Sequence, residues 1–236
     1  MPIVLRSEVS LAWEDRMPAE VVHVRMSYCI MAHPKRVEHV SWMLRVLQGQ
    51  GAQNVTVMYD RNGEGAWKNS KRAWETADSA FTHHMVLQDD ISMCKDFVEA
   101  ASWCATLRPD APISFFLPRK STEEAIAKGL CWVSTRRFLW AQAVIMPIGM
   151  AHDFLRWVSR HDDPTFGRHD DVRMAAFYAE KRLRVYVPVP TFIEHEGAED
   201  SLMGNPNTAK RRSRQYIGDD GVAMSLPLHD LRDIQE

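Results

Sequence analysis

The chain has 236 residues, 45% of them hydrophobic and 25% charged, which is the composition of an ordinary globular protein and suits one large α/β domain over residues 1–236. A net charge of −2 excludes a global electrostatic attraction to nucleic acid, while leaving a local basic patch open. No apolar run approaches the roughly 20 residues that span a bilayer, and Glu8, Glu14, Asp15 and Glu20 do not fit a signal peptide. The expected setting is therefore soluble and cytoplasmic, with no membrane partner. Cys29, Cys94, Cys104 and Cys131 form neither a CxxC pair nor a zinc spacing, and read as reduced, mostly buried thiols.

After an irregular lead over residues 1–23, short apolar runs alternate with amphipathic segments. Residues 25–31 read as a strand, followed by Val37, Val40, Leu44 and Leu47 at helical spacing, with Gly49 and Gly51 as a stop. Residues 54–59 form a second strand, dense in β-branched residues, that ends in the turn Asp60-Arg61-Asn62-Gly63. A helix carrying Trp67, Trp74 and Ala77 comes next. The strand 84–87 then stops abruptly at Gln88-Asp89-Asp90. Phe97, Ala101 and Cys104 mark a further helix, and 113–117 a further strand.

The second half is less regular. Strands are expected at 130–133, 143–146 and 183–187, and helices at 150–159 and 170–182, the last with Asp170 and Asp171 in its first turn. From 206 to 236 the chain is polar, includes the run Lys210-Arg211-Arg212-Ser213-Arg214, and reads as a flexible tail. This alternation predicts a mostly parallel central sheet with helices on both faces, a Rossmann-like arrangement whose site lies at the carboxyl ends of the strands.

Asp89 and Asp90 therefore stand where such a sheet binds ligands. Paired acidic oxygens suit Mg²⁺ or Mn²⁺, and such an ion can bridge a diphosphate and offset the charge on a departing nucleoside diphosphate. On the residues alone, two aspartates at a strand end are equally a solvated turn. The segment 166–171, Phe-Gly-Arg-His-Asp-Asp, opens a helix, and there too a capping pair of aspartates is an alternative. Residues 190–197 carry His195 just after a strand, where a surface histidine is the ordinary case.

The residues 84–91 resemble the metal-binding acidic motif of GT-A glycosyltransferases, in the variant with an uncharged residue, here Gln88, at its start. The loop Ala32-His33-Pro34-Lys35-Arg36 after the first strand looks like that family's nucleotide-binding start, and Asp60 matches the acidic residue that meets base or ribose. The resemblance covers about residues 24–205. It implies a nucleotide-sugar donor, with uridine as the default nucleotide, held by Ala32, His33, Lys35, Arg36, Asp60, Arg72, Gln88 and Asp89. It implies Mn²⁺ or Mg²⁺ on Asp89, Asp90 and His195. It also implies an inverting transfer of a sugar, a hexose by default, in which Asp170, or else Asp171, takes the acceptor proton. A helix N-terminus favours an ionised carboxylate, which would weaken that base.

The acceptor is less defined. Trp140 and Gln142 precede a strand where the family contacts sugar or acceptor, and Arg136 and Arg137 could meet phosphates. The compact chain is similar to small phage-encoded glycosyltransferases, which implies host cytoplasm and an acceptor such as a hydroxylated pyrimidine base in DNA, flipped out of the duplex. A virion protein or a glycan is the alternative acceptor. Two other readings stay open. The pairs His152-Asp153, His161-Asp162 and His169-Asp170 resemble HD-type phosphohydrolases, although those are all-helical. The chain could also bind nucleotide-sugars without catalysis, but a pure binder has no need of Asp89, Asp90 and Asp170 together.

Overall fold

The computed structural model describes residues 23–161, 163–196 and 212–236. The chain begins with strand β1 (Met26–Ala32), a short 3₁₀ turn (Pro34–Arg36) and helix α1 (Val37–Gly49). Strand β2 (Val55–Tyr59), helix α2 (Ala66–Trp74) and strand β3 (His83–Gln88) follow. Next come the three-residue strand β4 (Ile91–Met93), helix α3 (Phe97–Leu107), strand β5 (Ile113–Ser114), helix α4 (Lys120–Ala127) and strand β6 (Trp132–Thr135). The remainder is β7 (Ala143–Pro147), α5 (Ile148–His161), α6 (Asp170–Glu180), β8 (Val185–Pro188), β9 (Ile193–His195) and β10 (Ile234–Gln235).

Eight strands form one mixed sheet in the order β10-β6-β8-β5-β7-β3-β1-β2. The pairs β2-β1, β1-β3, β5-β8 and β6-β10 are parallel; β3-β7, β7-β5 and β8-β6 are antiparallel. Strands β1, β2, β3, β5 and β8 therefore deliver their C-termini to one edge. Side chains alternate faces along a strand, and the core divides accordingly. Tyr28, Ile30, Met85, Leu87 and Ile145 join Met43, Leu47, Phe97 and Cys104 from α1 and α3. Cys29, Met31, Val86, Val144 and Met146 join Trp67, Trp74, Phe154, Trp157 and Phe177 from α2, α5 and α6. Helices thus cover both faces, and each large apolar side chain buried in these layers contributes about 2 kcal/mol.

Several boundaries differ from the sequence reading, each for a local reason. Helix α6 stops at Glu180, not at 182, because Arg182 adopts a left-handed φ of 55° and Leu183 N–H donates back to Tyr178 O at 2.8 Å, a Schellman-type stop. The strand expected at 113–117 pairs only over Ile113–Ser114. Helix α4 went unread because its buried residues, Ser121, Thr122 and Ala125, form no apolar stripe. Strands β4 and β9 exist through each other, pairing Ile91 with His195 and Met93 with Ile193.

Residues 212–236, read as part of a flexible tail, pack on the body instead. Asp96 accepts from Ala223 N and Met224 N, Trp132 Nε1 donates to Leu228 O, and β10 joins the sheet edge beside β6. The lead 1–22, together with Asp162, Gly197, Ser201, Lys210 and Arg211, lies outside the described residues. Among the described residues no helix is long and apolar enough to cross a membrane.

Candidate functional site

The C-terminal ends of β1 and β3 lie side by side, with Met31 in register with Gln88, and this places the loop 33–36 against Asp89. His33 N–H donates to Asp89 Oδ2, and Arg36 Nη1 donates to Asp89 Oδ1 at 2.7 Å. The same guanidinium nitrogen stands 2.9 Å from Asp90 Oδ2. A single cationic nitrogen therefore bridges the two carboxylates. His33 also caps its own turn, its Nδ1 accepting from Lys35 N–H, while the Lys35 side chain is exposed.

His195 reaches Asp90 through the β4-β9 ribbon. Ile91 opposes His195, Glu196 N–H donates to Asp90 O at 2.8 Å, and His195 Nε2 lies 3.4 Å from Asp90 Oδ2. Glu194, which the sequence reading passed over, holds this ribbon. Its Oε1 accepts from His195 N at 2.8 Å and from Ser213 N at 2.9 Å, tying the returning chain to β9. Two buried atoms at the junction have no hydrogen-bond partner, Asp90 Oδ1 and His195 Nδ1.

Burial pushes the Asp89 carboxyl up, against the pull of Arg36 and the His33 amide. Burial acts on Asp90 in the same direction, but His195 and Arg36 together outweigh it and hold that carboxyl below the ordinary range. Asp90 is thus the more firmly ionised of the two. Desolvation would lower the Arg36 guanidinium, and the charges of Asp90 and Asp89 override it, so its pKa is raised.

The expected three-residue metal set is not a ready cage. Among the described residues no group of three His, Cys, Asp or Glu side chains is arranged to hold an ion. The reason is the bridge: Asp89 is engaged by His33 and Arg36, which leaves Asp90 and His195 facing each other. The atoms that face each other are Asp90 Oδ2 and His195 Nε2, and the unpartnered ones are Asp90 Oδ1 and His195 Nδ1. Carboxylate oxygen and imidazole nitrogen are donor types that suit Mn²⁺, and an ion that bridges phosphates commonly takes only one or two protein carboxylates, the substrate supplying the rest.

Gln142 and Gln88 border the acid pair. Gln88 N–H donates to Gln142 O at 2.7 Å, one residue before Asp89, and Leu87 pairs with Ala143. Gln142 is only 4% exposed and its side-chain oxygen has no partner. Trp140 is half-buried beneath Arg119, whose guanidinium sits 4.9 Å from its ring, so one of its faces is already covered. Arg136 and Arg137 are exposed on the loop after β6. Of the basic run, Arg214 is paired with Glu123 at 3.0 Å.

The chain of contacts runs on toward Asp170. Ala32 O accepts from Asp60 N at 2.9 Å and from Asn69 Nδ2 at 3.2 Å, and Asn69 also donates to Met58 O. Buried Asn69 thereby clamps the ends of β1 and β2 to α2. Its neighbour Ser70, also buried, lies beside the Asp170 carboxyl at the start of α6. The loop into α6 is held by Arg173, which donates to Gly167 O and His169 O at 3.0 Å and stacks 4.4 Å from the Trp67 ring.

Asp170 is 7% exposed, and the balance expected at a helix N-terminus is reversed there. Burial chiefly, and then the charge of Asp171, push its carboxyl up to about 7, against the local amides and Ser70. A carboxyl that titrates near neutrality is suited to general-base work. Asp171 is half-buried and accepts from Val172 N at 2.8 Å.

Asp60 and Arg72 are used within their own loop. Asp60 accepts from Glu64 N and Gly65 N, both at 2.8 Å, and Arg72 donates to Glu64 Oε2 at 2.8 Å and to Asn69 Oδ1 at 3.1 Å. Both of the Asp60 oxygens and much of the Arg72 fork thus shape the 60–65 turn. The His-Asp pairs do not converge: His152 is bonded to Ala77 O, His161 stacks on Trp157, and the sheet-based fold is not the all-helical one an HD phosphohydrolase has.

No family model matches the chain, and no curated protein matches it. Among solved structures, a protein assigned as a glucose-1-phosphate thymidylyltransferase of Bacillus anthracis, crystallised with sucrose, superposes with a TM-score of 0.50 at 6% identity, covering 76% of this chain and 93% of that one. A Drosophila β-1,4-galactosyltransferase 7 mutant, in complex with manganese, UDP-Gal and xylobiose, aligns with a TM-score of 0.44 at 10% identity over 80% of this chain and 74% of that one, a likeness too loose to bear on function. The fold is α/β, of the Rossmann-like GT-A type.

Proposed function

We propose that the protein is a glycosyltransferase that moves a sugar from a nucleoside-diphosphate sugar to an acceptor hydroxyl. One observation carries this reading: Asp90 and His195, brought from strands a hundred residues apart, meet at the C-terminal edge of the sheet with one polar atom each left unpartnered. Buried polar groups normally find partners within the fold. Unlike the unpartnered Trp74 Nε1 and Tyr178 Oη of the apolar core, this pair stands at the strand ends, where open α/β sheets bind ligands.

Asp90 and His195 would hold Mn²⁺, or Asp90 alone Mg²⁺, in company with the donor diphosphate. The ion, when bound, offsets charge on the departing diphosphate. The loop 33–36 would supply the Arg36 and Lys35 side-chain cations beside it, with Lys35 exposed. Gln142, whose backbone carbonyl accepts from Gln88 N–H and whose side-chain oxygen has no partner, would accept a hydrogen bond from a sugar or acceptor hydroxyl. Asp170, ionised, takes the acceptor proton as that oxygen bonds to the anomeric carbon and the bond from that carbon to the diphosphate oxygen breaks. With one such displacement the anomeric centre inverts. Uridine is the proposed nucleotide and a hexose the proposed sugar.

For the acceptor we propose a hydroxylated pyrimidine base in DNA, with exposed Arg136 and Arg137 on backbone phosphates. A phage origin would fit that acceptor, and the four cysteines, all buried and free, fit a reducing cytoplasm. Release of nucleoside diphosphate from a panel of nucleotide-sugars, with Mn²⁺, Mg²⁺ or chelator and with or without hydroxymethylated DNA, tests both levels. Metal-dependent release stimulated by that DNA is expected. Release without stimulation moves the acceptor to a protein or glycan, and absence of release and of donor binding removes the transferase reading.

A further inference from the structure

We infer that Arg36 is the resident counter-cation of the acid pair and competes with a divalent ion for Asp90, so that metal loads together with the donor and not before it. This rests on the donor and metal reading above and adds a binding order to it.

The geometry is specific. Arg36 Nη1 is shared between Asp89 Oδ1 at 2.7 Å and Asp90 Oδ2 at 2.9 Å. Two adjacent, largely buried carboxylates repel each other, and a guanidinium between them removes that repulsion at short range. Asp89 is thereby complete, with His33 N–H on its other oxygen. Asp90 is not: one oxygen faces Arg36 and His195, and the other has no partner. An ion entering at Asp90 would stand against the positive charge of Arg36. Either the guanidinium leaves Asp90 or the ion binds weakly.

Arg36 has somewhere to go. It lies at the end of the 3₁₀ turn after β1, on the loop that borders the same sheet edge, and its backbone is fixed by the Arg36 N–H donation to His33 O at 2.9 Å. Only the side chain need swing. A diphosphate offers a guanidinium two oxygens in a fork geometry, a partner as good as the carboxylates it leaves. A donor that takes Arg36 from Asp90 opens that carboxylate to the metal, and by reciprocity the metal favours the donor.

Mn²⁺ binding to the full chain, read by electron paramagnetic resonance of the free ion with and without UDP, tests this without any turnover. The wild type should bind Mn²⁺ weakly alone and roughly tenfold or more tightly with UDP. Arg36→Met should bind Mn²⁺ more tightly than wild type in the absence of UDP, by a similar factor, and should lose most of the UDP dependence. Arg36→Gln, which keeps a hydrogen-bonding side chain without the charge, should move the same way and serves if the methionine variant fails to fold. Donor-free Mn²⁺ affinity equal to or below wild type in a folded Arg36 variant overturns the competition. Asp90→Ala in the Arg36 variant should abolish the gain; if Mn²⁺ binding survives that change, the metal is not at Asp90 and the functional reading itself fails.

Discussion

Strand β3 carries a polar pair at each end, and the fold treats the two differently. At its start, His83 is bonded to Thr82 Oγ1 and Pro109 O, and His84 to Ser27 Oγ and Ala73 O. Neither ring has an atom left over. At its finish, Asp89 is satisfied by His33 and Arg36, while Asp90 and the His195 that faces it each keep one buried atom unpartnered. The first pair ties β3 to its neighbours, and the second is incomplete without a ligand. His83 and His84 are fully buried and Asp90 is partly exposed, and the hydrogen bonds differ with it: the first pair is satisfied within the fold, and the second leaves atoms open at the sheet edge.

Substitutions at the two ends should therefore have opposite signatures. Asp90→Ala should lower nucleoside diphosphate release about a thousandfold, with the melting temperature almost unchanged, because it removes a strand-end ligand and no packing. Retained activity in that variant would erase the distinction between the two ends. Asp170→Asn, at the start of α6, should cost about a hundredfold or more in transfer while donor affinity holds. Its stability should move the other way. The Asp170 carboxyl is raised to about 7, so the folded state holds a proton that the unfolded chain releases near 4. The stability this confers is full below about 4 and is lost as pH rises through 7, and the asparagine variant escapes that loss. Chemical denaturation at pH 8 should find it more stable than wild type by on the order of a few kcal/mol, and turnover of the wild type should fall as pH drops below about 7.

At the scaffold end, His84→Ala should cost about 1–3 kcal/mol in stability, by removing the closer partner of the Ser27 hydroxyl and opening a cavity against Trp74. The folded fraction should keep wild-type turnover. Burial chiefly pushes the His84 imidazole down to about 4, so the fold resists a proton that the unfolded chain takes up near 6.5. The stability present above about 6.5 is lost as pH falls toward 4, and denaturation across that window should be less acid-sensitive in the alanine variant. The smallest effect is expected at the rim. Arg136→Ala with Arg137→Ala should weaken binding to modified DNA a few-fold, alike for all sequences, and flatten its salt dependence, leaving kcat in place.

The alternation of β1 to β3 with α1 to α3 was legible because local rules suffice there: short apolar runs for β1 to β3, helical spacing in α1, and glycine stops. What could not be read depends on partners distant in sequence. Strands β4 and β9 are three residues each and carry no pattern of their own. The segment 212–236 looked polar, and only Asp96, more than a hundred residues away, makes its backbone amides at Ala223 and Met224 a docking point.

The site divides along the same line. Asp89, Asp90 and His195 could be grouped from motif and position, and the chain does bring Asp90 and His195 face to face. That Arg36 would stand between the carboxylates, or that Asp60 would direct both oxygens into its own turn, was not legible, since charge type does not say which partner is in reach. The raised Asp170 carboxyl was expected in the opposite sense, because a helix N-terminus is visible in sequence and burial is not.

The most direct test of the account is nucleoside diphosphate release from UDP-sugars by the wild type and by Asp90→Ala, at matched folded concentration, with Mn²⁺ or with chelator. Metal-dependent release is expected from the wild type, and release at the chelator level from Asp90→Ala whether or not metal is added. Equal, metal-independent release by the two proteins, or none by either together with no donor binding by the wild type, would contradict it.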